Sequence, residues 1–287
     1  MYPRAPVAPL VSIVTVTYEA AEYVRRFLDS VERHTRVPYE LIVVDNASGP
    51  ATRAVVAERA AAGKIRLVQN EDNRLWAAGC NQGLAAADPR SRFVLLLNPD
   101  CEVLADEWIS RLAAVLEDDA KVAVTGIALN WKRIGPVFGC VDGQCFFVRR
   151  EALDAVGAFD AERYPWNGAP YDWCARAWSK GWTYRRCANE PPFLVHHGHK
   201  SVEASGEERP WRPVDVEDMY RRAGLAPTRP HRLTVWAKRT FGPPFFFEPR
   251  AGRPYPRPLF PAPTSASPGS ETHRAQGLAD AAHEEST

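Results

Sequence analysis

Phe93-Val-Leu-Leu-Leu97 runs directly into Asn98-Pro99-Asp100, and this junction constrains the chain more than any other stretch. Apolar residues in an unbroken run, cut short at a proline, predict a fully buried strand that ends abruptly. Strands of that kind belong to parallel sheets covered on both faces. Ligands of open α/β sheets bind at the C-terminal ends of the strands. A hard oxygen donor placed there, as Asp100 is, suits Mg2+ or Mn2+ bridging to a phosphate. Asn, Pro and Asp are also ordinary turn residues, so the competing reading is an aspartate that merely opens a turn.

The pattern around this strand predicts its partners. Val11-Ser-Ile-Val-Thr-Val-Thr17 is rich in β-branched residues and reads as a buried first strand. Tyr23, Val24, Phe27, Leu28 and Val31 recur at helical spacing. Leu41-Ile-Val-Val-Asp45 reads as a second buried strand that again ends in an aspartate. A helix over 51–62 is stopped by Gly63, a strand follows at Ile65–Gln69, and an Ala-rich helix covers 77–87. A helix over 106–116 leads to a strand at Val122–Thr125. Strands alternating with helices predict an α/β fold with a mostly parallel, Rossmann-like sheet and helices on both faces over residues 1–128.

Residues 129–225 have a different texture and are expected to form the other half of the same domain, Trp-, Tyr- and Gly-rich as suits a surface that receives a polar ring-shaped ligand. They hold an expected strand at Cys145–Val148, helices at Arg150–Val156 and 170–180, and short strands at 182–186 and 193–196. From 226 to 287 the chain is Pro-rich, small and polar, and is expected to be largely disordered because it has too little apolar surface to bury.

Composition removes several classes. A formal net charge of +1 gives no field for nucleic acid. No apolar run approaches the ~20 residues of a membrane span, and the N-terminus lacks a signal-peptide core. Six cysteines are scattered with no C-x-x-C pair, which argues against zinc and disulfides and for reduced thiols in the cytoplasm.

Asp45 and Asp100 both end buried strands, so a parallel sheet places them on one rim with Thr15–Tyr18 nearby. One acid would read a base or ribose and the other would hold a metal on a diphosphate. Asp45-Asn46-Ala-Ser48-Gly49 also has the makings of a helix N-cap, and capping and binding are compatible. His196, His197 and His199 precede Lys200 and Ser201, in a spacing that is no clean metal pattern.

Val11–Tyr18, Val43–Ser48, Asn70–Gly83 and Leu97–Asp100, followed by Gly143–Arg150, Val156–Asp160 and His196–Gly198, resemble family 2 glycosyltransferases, especially their rhamnosyltransferase-like branch. The resemblance implies a GT-A fold and inverting, metal-dependent transfer of a hexose or deoxyhexose from a nucleotide-diphosphate sugar. The acceptor would be a hydroxyl on a glycan, a lipid-linked or a small molecule, in cell-surface polysaccharide biosynthesis. By the same resemblance Thr15, Tyr18 and Asp45 hold the nucleoside, the stretch Asn73 to Asn81 lines the donor site, and Asn46 and Asn98 also bind the donor. Asp100, the last residue of an Asn-Pro-Asp variant of the D-x-D motif, coordinates Mn2+ or Mg2+ with His196, His197 being the fallback.

The chain departs from the family at the usual Gly-Glu-Asp-x-Asp motif, which reads Gly168-Ala169-Pro170-Tyr171-Asp172. Pro170 falls at the position of the base and cannot accept a proton. Asp172 is either a displaced base or a first-turn residue that stabilises the helix dipole; Asp142, Asp160 and Glu190 are the other carboxylates in view. A degenerate protein that binds a sugar nucleotide without transferring it is therefore the alternative function. A sugar nucleotidyltransferase would want a Gly-rich phosphate loop after the first strand, where this chain has Thr17-Tyr18-Glu19-Ala20. The basic and aromatic cluster Arg232–Phe241, with Phe245–Phe247, is expected to pack as a C-terminal helix or to touch a membrane surface peripherally.

Overall fold

The computed structural model describes residues 10–130, 140–207 and 214–224. The Pro-rich stretch 226–287, with the clusters at Arg232–Phe241 and Phe245–Phe247, lies outside the described residues.

The first half alternates as expected: β1 (Val11–Thr17), α1 (Ala21–His34), β2 (Tyr39–Asp45), α2 (Pro50–Ala61), β3 (Arg66–Gln69), α3 (Leu75–Ala86), β4 (Phe93–Leu97), β5 (Cys101–Val103), α4 (Trp108–Glu117) and β6 (Val122–Gly126). The second half adds β7 (Leu129–Asn130), β8 (Cys140–Val141), β9 (Cys145–Arg149), α5 (Arg150–Val156), α6 (Ala169–Ser179), β10 (Thr183–Arg186), β11 (Leu194–His196), α7 (Lys200–Ser205) and α8 (Val216–Arg222). The main sheet runs β10-β6-β9-β4-β1-β2-β3. Its strands are parallel apart from β9, which pairs antiparallel with both β4 and β6. Both halves of the chain therefore build one sheet, because β9 is inserted between two strands of the first half.

Successive residues of a strand face opposite layers, and here each layer has its own core. Val11 and Ile13 of β1 with Leu41 and Val43 of β2 pack against Val24, Phe27 and Val31 of α1 and Val55 and Val56 of α2. Val14, Ile42 and Val44 pack the other way, with Ala77 and Cys80 of α3. Each fully buried Phe or Leu contributes roughly 1.5–3 kcal/mol relative to exposure.

The approach of α3 to the sheet depends on two glycines. A Cβ at Gly83 would come within 2.1 Å of Val14 Cγ1, and one at Gly79 within 2.7 Å of Val16 Cγ1. Bare backbone on that face lets α3 sit low over β1, and its N-terminal end then reaches the C-terminal edge of the sheet.

Beyond β4 the chain turns, with Cys101 N donating to Asn98 O at 3.1 Å. It then enters β5, which the apolar pattern of the sequence did not reveal. β5 pairs antiparallel with β11 in a separate ribbon, with His196 opposite Cys101.

Candidate functional site at the C-terminal edge of the sheet

A cavity of about 480 Å³ opens at this edge. Its walls come from the ends of β1, β2 and β4, the start of α3, the turn before β9, the start of α6, and the segment from β11 through α7.

Asp100 lies on the wall below β4 and is 6% exposed. Its Oδ1 is 3.1 Å from His196 Nε2, and its Oδ2 accepts from the Lys200 amide at 3.4 Å. The β5–β11 pairing fixes this contact, and His197 N donates to Asp100 O at 2.9 Å. Burial pushes the Asp100 carboxyl up, but the hydrogen bond and charge of His196, with the Lys200 amide, outweigh it and leave the group below its ordinary value. His197 points elsewhere, with Nε2 3.1 Å from Glu102 Oε2.

Ligand atoms of Asp100, Cys101 and His196 all lie within 4.8 Å of one another. Burial holds the Cys101 thiol well above its ordinary value, and sulfur is a soft donor poorly matched to a hard divalent cation. That leaves a carboxylate and an imidazole, a donor set that fits Mg2+ or Mn2+ with its remaining positions filled by phosphate and water.

Asn98 links this wall to α3. Its Oδ1 accepts from Trp76 Nε1 at 3.2 Å, and its Nδ2 lies 3.4 Å from His196 Nε2. Farther along the rim, Tyr18 donates its hydroxyl to Glu207 Oε1 at 2.6 Å, and this bond, with burial, raises the phenol above its ordinary value. Asn73 Oδ1 accepts from the Leu75 amide at 3.0 Å, bending the chain into α3 through a Leu75 φ of +64°. Asn46 donates to Leu75 O at 3.2 Å and accepts from Asn70 Nδ2 at 2.8 Å, and Asn70 exchanges hydrogen bonds with Gln82. Among the described residues, the non-glycine positions of positive φ are Glu19, Ala20, Ala47 and His199, in connections, and Leu75, the first residue of α3. Such backbone costs of order 1–3 kcal/mol per residue and clusters at functional sites.

Residues 12–133 match the sequence model of Glycosyl transferase family 2. Over that stretch the chain is similar to family 2 glycosyltransferases. A putative teichuronic acid biosynthesis glycosyltransferase of Bacillus subtilis is 29% identical over 122 residues, covering 42% of this chain and 48% of the relative. A succinoglycan biosynthesis protein of Rhizobium meliloti is 29% identical over 125 residues, covering 44% and 35%. An uncharacterised protein of Sinorhizobium fredii is 24% identical over 260 residues, covering 75% and 27%. The chain thus spans between about a quarter and a half of the length of these curated relatives. Among solved structures, a mannosyltransferase from Pyrobaculum calidifontis in complex with GDP-Man and Mn2+ superposes with a TM-score of 0.52 at 18% identity, over 77% of this chain and 70% of that one. This likeness speaks for the GT-A fold.

The fold brings together Tyr18, Asn46, Asn73, Asn98, Asp100 and His196 on one cavity. Four other expected residues stand off it. Thr15 and Asp45 are 1% and 0% exposed and do not line the cavity. They share strand parity with Ile13 and Val43, which face α1 and α2, whereas Val16, in the opposite parity, and Asn46, just past the end of β2, line the cavity. Asp45 Oδ1 accepts from Thr17 Oγ1 at 3.1 Å, while Asp45 Oδ2 and Thr15 Oγ1 are buried without a partner. Asn81 is spent on structure, its side chain bonding both the carbonyl and the amide of Phe159 at 2.9 Å. Asp172 lies in the first turn of α6, 3% exposed, and its Oδ2 accepts from Arg176 Nε at 2.8 Å. The stretch Asn73 to Asn81, expected to line the donor site, contributes Asn73, Leu75 and Trp76, whereas sequence reasoning missed Glu207 as a lining residue.

Proposed function

We propose that the chain is an inverting, metal-dependent glycosyltransferase that moves a sugar from a nucleotide-diphosphate donor to an acceptor hydroxyl. The observation that carries this reading is the contact of Asp100 with His196 on a cavity also lined by Tyr18, Asn46 and Asn73. Tyr18, Asn46 and Asn73 hold the nucleoside in this reading, and Asp100 and His196 hold Mn2+ or Mg2+ against the diphosphate, with Lys200 and Ser201 nearby. Bound there, the metal neutralises charge that builds on the leaving diphosphate. Thr15, Asp45 and Asn81 serve as supports behind the wall, and the aromatic residues Trp76, Trp166 and Tyr171 flank the acceptor side.

The names of the relatives favour cell-surface polysaccharide as the product. All six cysteines are buried thiols, in keeping with a reducing compartment. Among the described residues no helix is long and apolar enough to cross a membrane.

A screen of UDP-, dTDP- and GDP-sugars for thermal stabilisation with Mn2+ tests the reading, since donor binding raises apparent stability by mass action. One nucleotide series is expected to stabilise the protein only with the metal, and its sugar donor to be turned over. Stabilisation without turnover of any donor, even to water, would instead make the protein a sugar-nucleotide binder.

A further inference from the structure

Glycosyl transfer to a hydroxyl needs a group that takes its proton, and the cavity-facing start of α6 offers Pro170 and Tyr171 but no carboxylate. We propose that Asp142 is the catalytic base. The assignment rests on the glycosyl-transfer reading above.

Among the described residues three carboxylates line the cavity: Asp100, Asp142 and Glu207. Asp100 is held by His196 and the Lys200 amide, and Glu207 accepts from Tyr18 on the nucleoside side. Asp142 takes part in neither arrangement. It opens the turn between β8 and β9, where its amide donates to Ala128 O at 3.0 Å and its Oδ1 accepts from Gln144 N at 3.1 Å. Among the described residues no ion pair engages it.

The turn is wedged between the two sides of the reaction. Gln144 O accepts from the Asn98 amide at 3.0 Å, which ties the turn to the Asn98-Pro99-Asp100 wall. On its other side a Cβ at Gly143 would stand 3.1 Å from Pro170 Cγ and 3.1 Å from Trp76 Cζ2. A larger residue at 143 would press on the Pro170 and Trp76 side chains, so the turn lies close against α6 and α3. The remaining acids are elsewhere: Asp172 pairs with Arg176, Asp160 with Arg163 and Arg222, and Glu190 with Arg186, and none of the three lines the cavity.

In the step, the Asp142 carboxylate takes the proton of the acceptor O–H. The hydroxyl oxygen forms a bond to the anomeric carbon as the bond from that carbon to the diphosphate oxygen breaks. That oxygen leaves with the electron pair, the proton stays on Asp142, and attack from the opposite face inverts the centre.

The test compares the full-length wild type with Asp142→Asn and Asp142→Glu. Binding is read by titrating UDP, dTDP and GDP with Mn2+, and turnover by hydrolysis of UDP-glucose, dTDP-rhamnose and GDP-mannose with water as acceptor. Asp142→Asn is expected to keep nucleotide affinity within about twofold while hydrolysis falls about 10²–10⁴-fold, and Asp142→Glu to recover part of it. Wild-type hydrolysis by Asp142→Asn overturns the assignment. So does a loss of nucleotide binding in step with hydrolysis, which makes Asp142 a structural residue. A wild type that binds no nucleotide and turns over no donor overturns the glycosyl-transfer reading itself, and this assignment with it.

Discussion

His196 Nε2 and Asp100 Oδ1 meet at 3.1 Å although the two residues belong to opposite halves of the chain. The antiparallel pairing of β5 with β11 sets His196 opposite Cys101, and the His197 amide closes the join on Asp100 O. A short ribbon thus delivers an imidazole to a strand-end carboxylate.

This contact predicts that Asp100→Ala abolishes Mn2+-dependent donor turnover, while His196→Ala weakens Mn2+-dependent nucleotide binding by about tenfold or more, as losing one of two protein ligands should. Calorimetric titration with and without Mn2+ checks both. Full turnover by Asp100→Ala in the presence of chelator would end the metal assignment.

Asp172 is predicted to matter for stability. Its carboxylate is buried and pairs with Arg176, whose remaining guanidinium nitrogens donate to Val156 O and Ala158 O. Asp172→Ala removes the anion and leaves a partly buried cation, at a cost of about 1–3 kcal/mol. Urea denaturation measures this. An unchanged midpoint would show that the pair contributes nothing.

Gly83→Ala is predicted to destabilise by about 1–3 kcal/mol, through overpacking against Val14. The double variant Gly83→Ala, Val14→Ala should be less destabilised than the sum of the single changes. Strict additivity in denaturation experiments would mean that α3 simply shifts.

The loop before β4 gives a prediction for acid. Hydrogen bonds from the Arg90 side chain and backbone lower Asp88 from 3.8 to about 2. A carboxyl with a lowered folded value contributes stability above its unfolded value and loses it as pH falls through the folded one. The stability difference between wild type and Asp88→Asn should therefore be constant above about pH 5 and shrink from pH 4 toward pH 2. A difference that is flat across that range would show that the Arg90 pairing does not favour the folded state.

Much of this was legible in the sequence because strand and helix periodicity report local backbone geometry. β1, β2 and β4 fell within a residue or two of expectation. α5 matched at Arg150–Val156. β5, β7 and β8 have two or three residues each and carry too little pattern to read. Asp172 was legible as a first-turn acid of α6, but its Arg176 partner four residues on decided what it does.

The sequence by itself determined that buried strands alternate with helices and that strand-end acids gather at one edge of a parallel sheet. Tertiary structure decided which side chains at that edge meet the cavity. Alternation along β1 and β2 sends Thr15 and Asp45 toward α1 and α2, while Val16 lines the cavity beside Asn46. Which layer holds the cavity depends on where α3 can descend, through Gly79 and Gly83, and on where β11 and the turn before β9 return. These are contacts between distant segments, set by how the layers pack, and local periodicity carries no record of them.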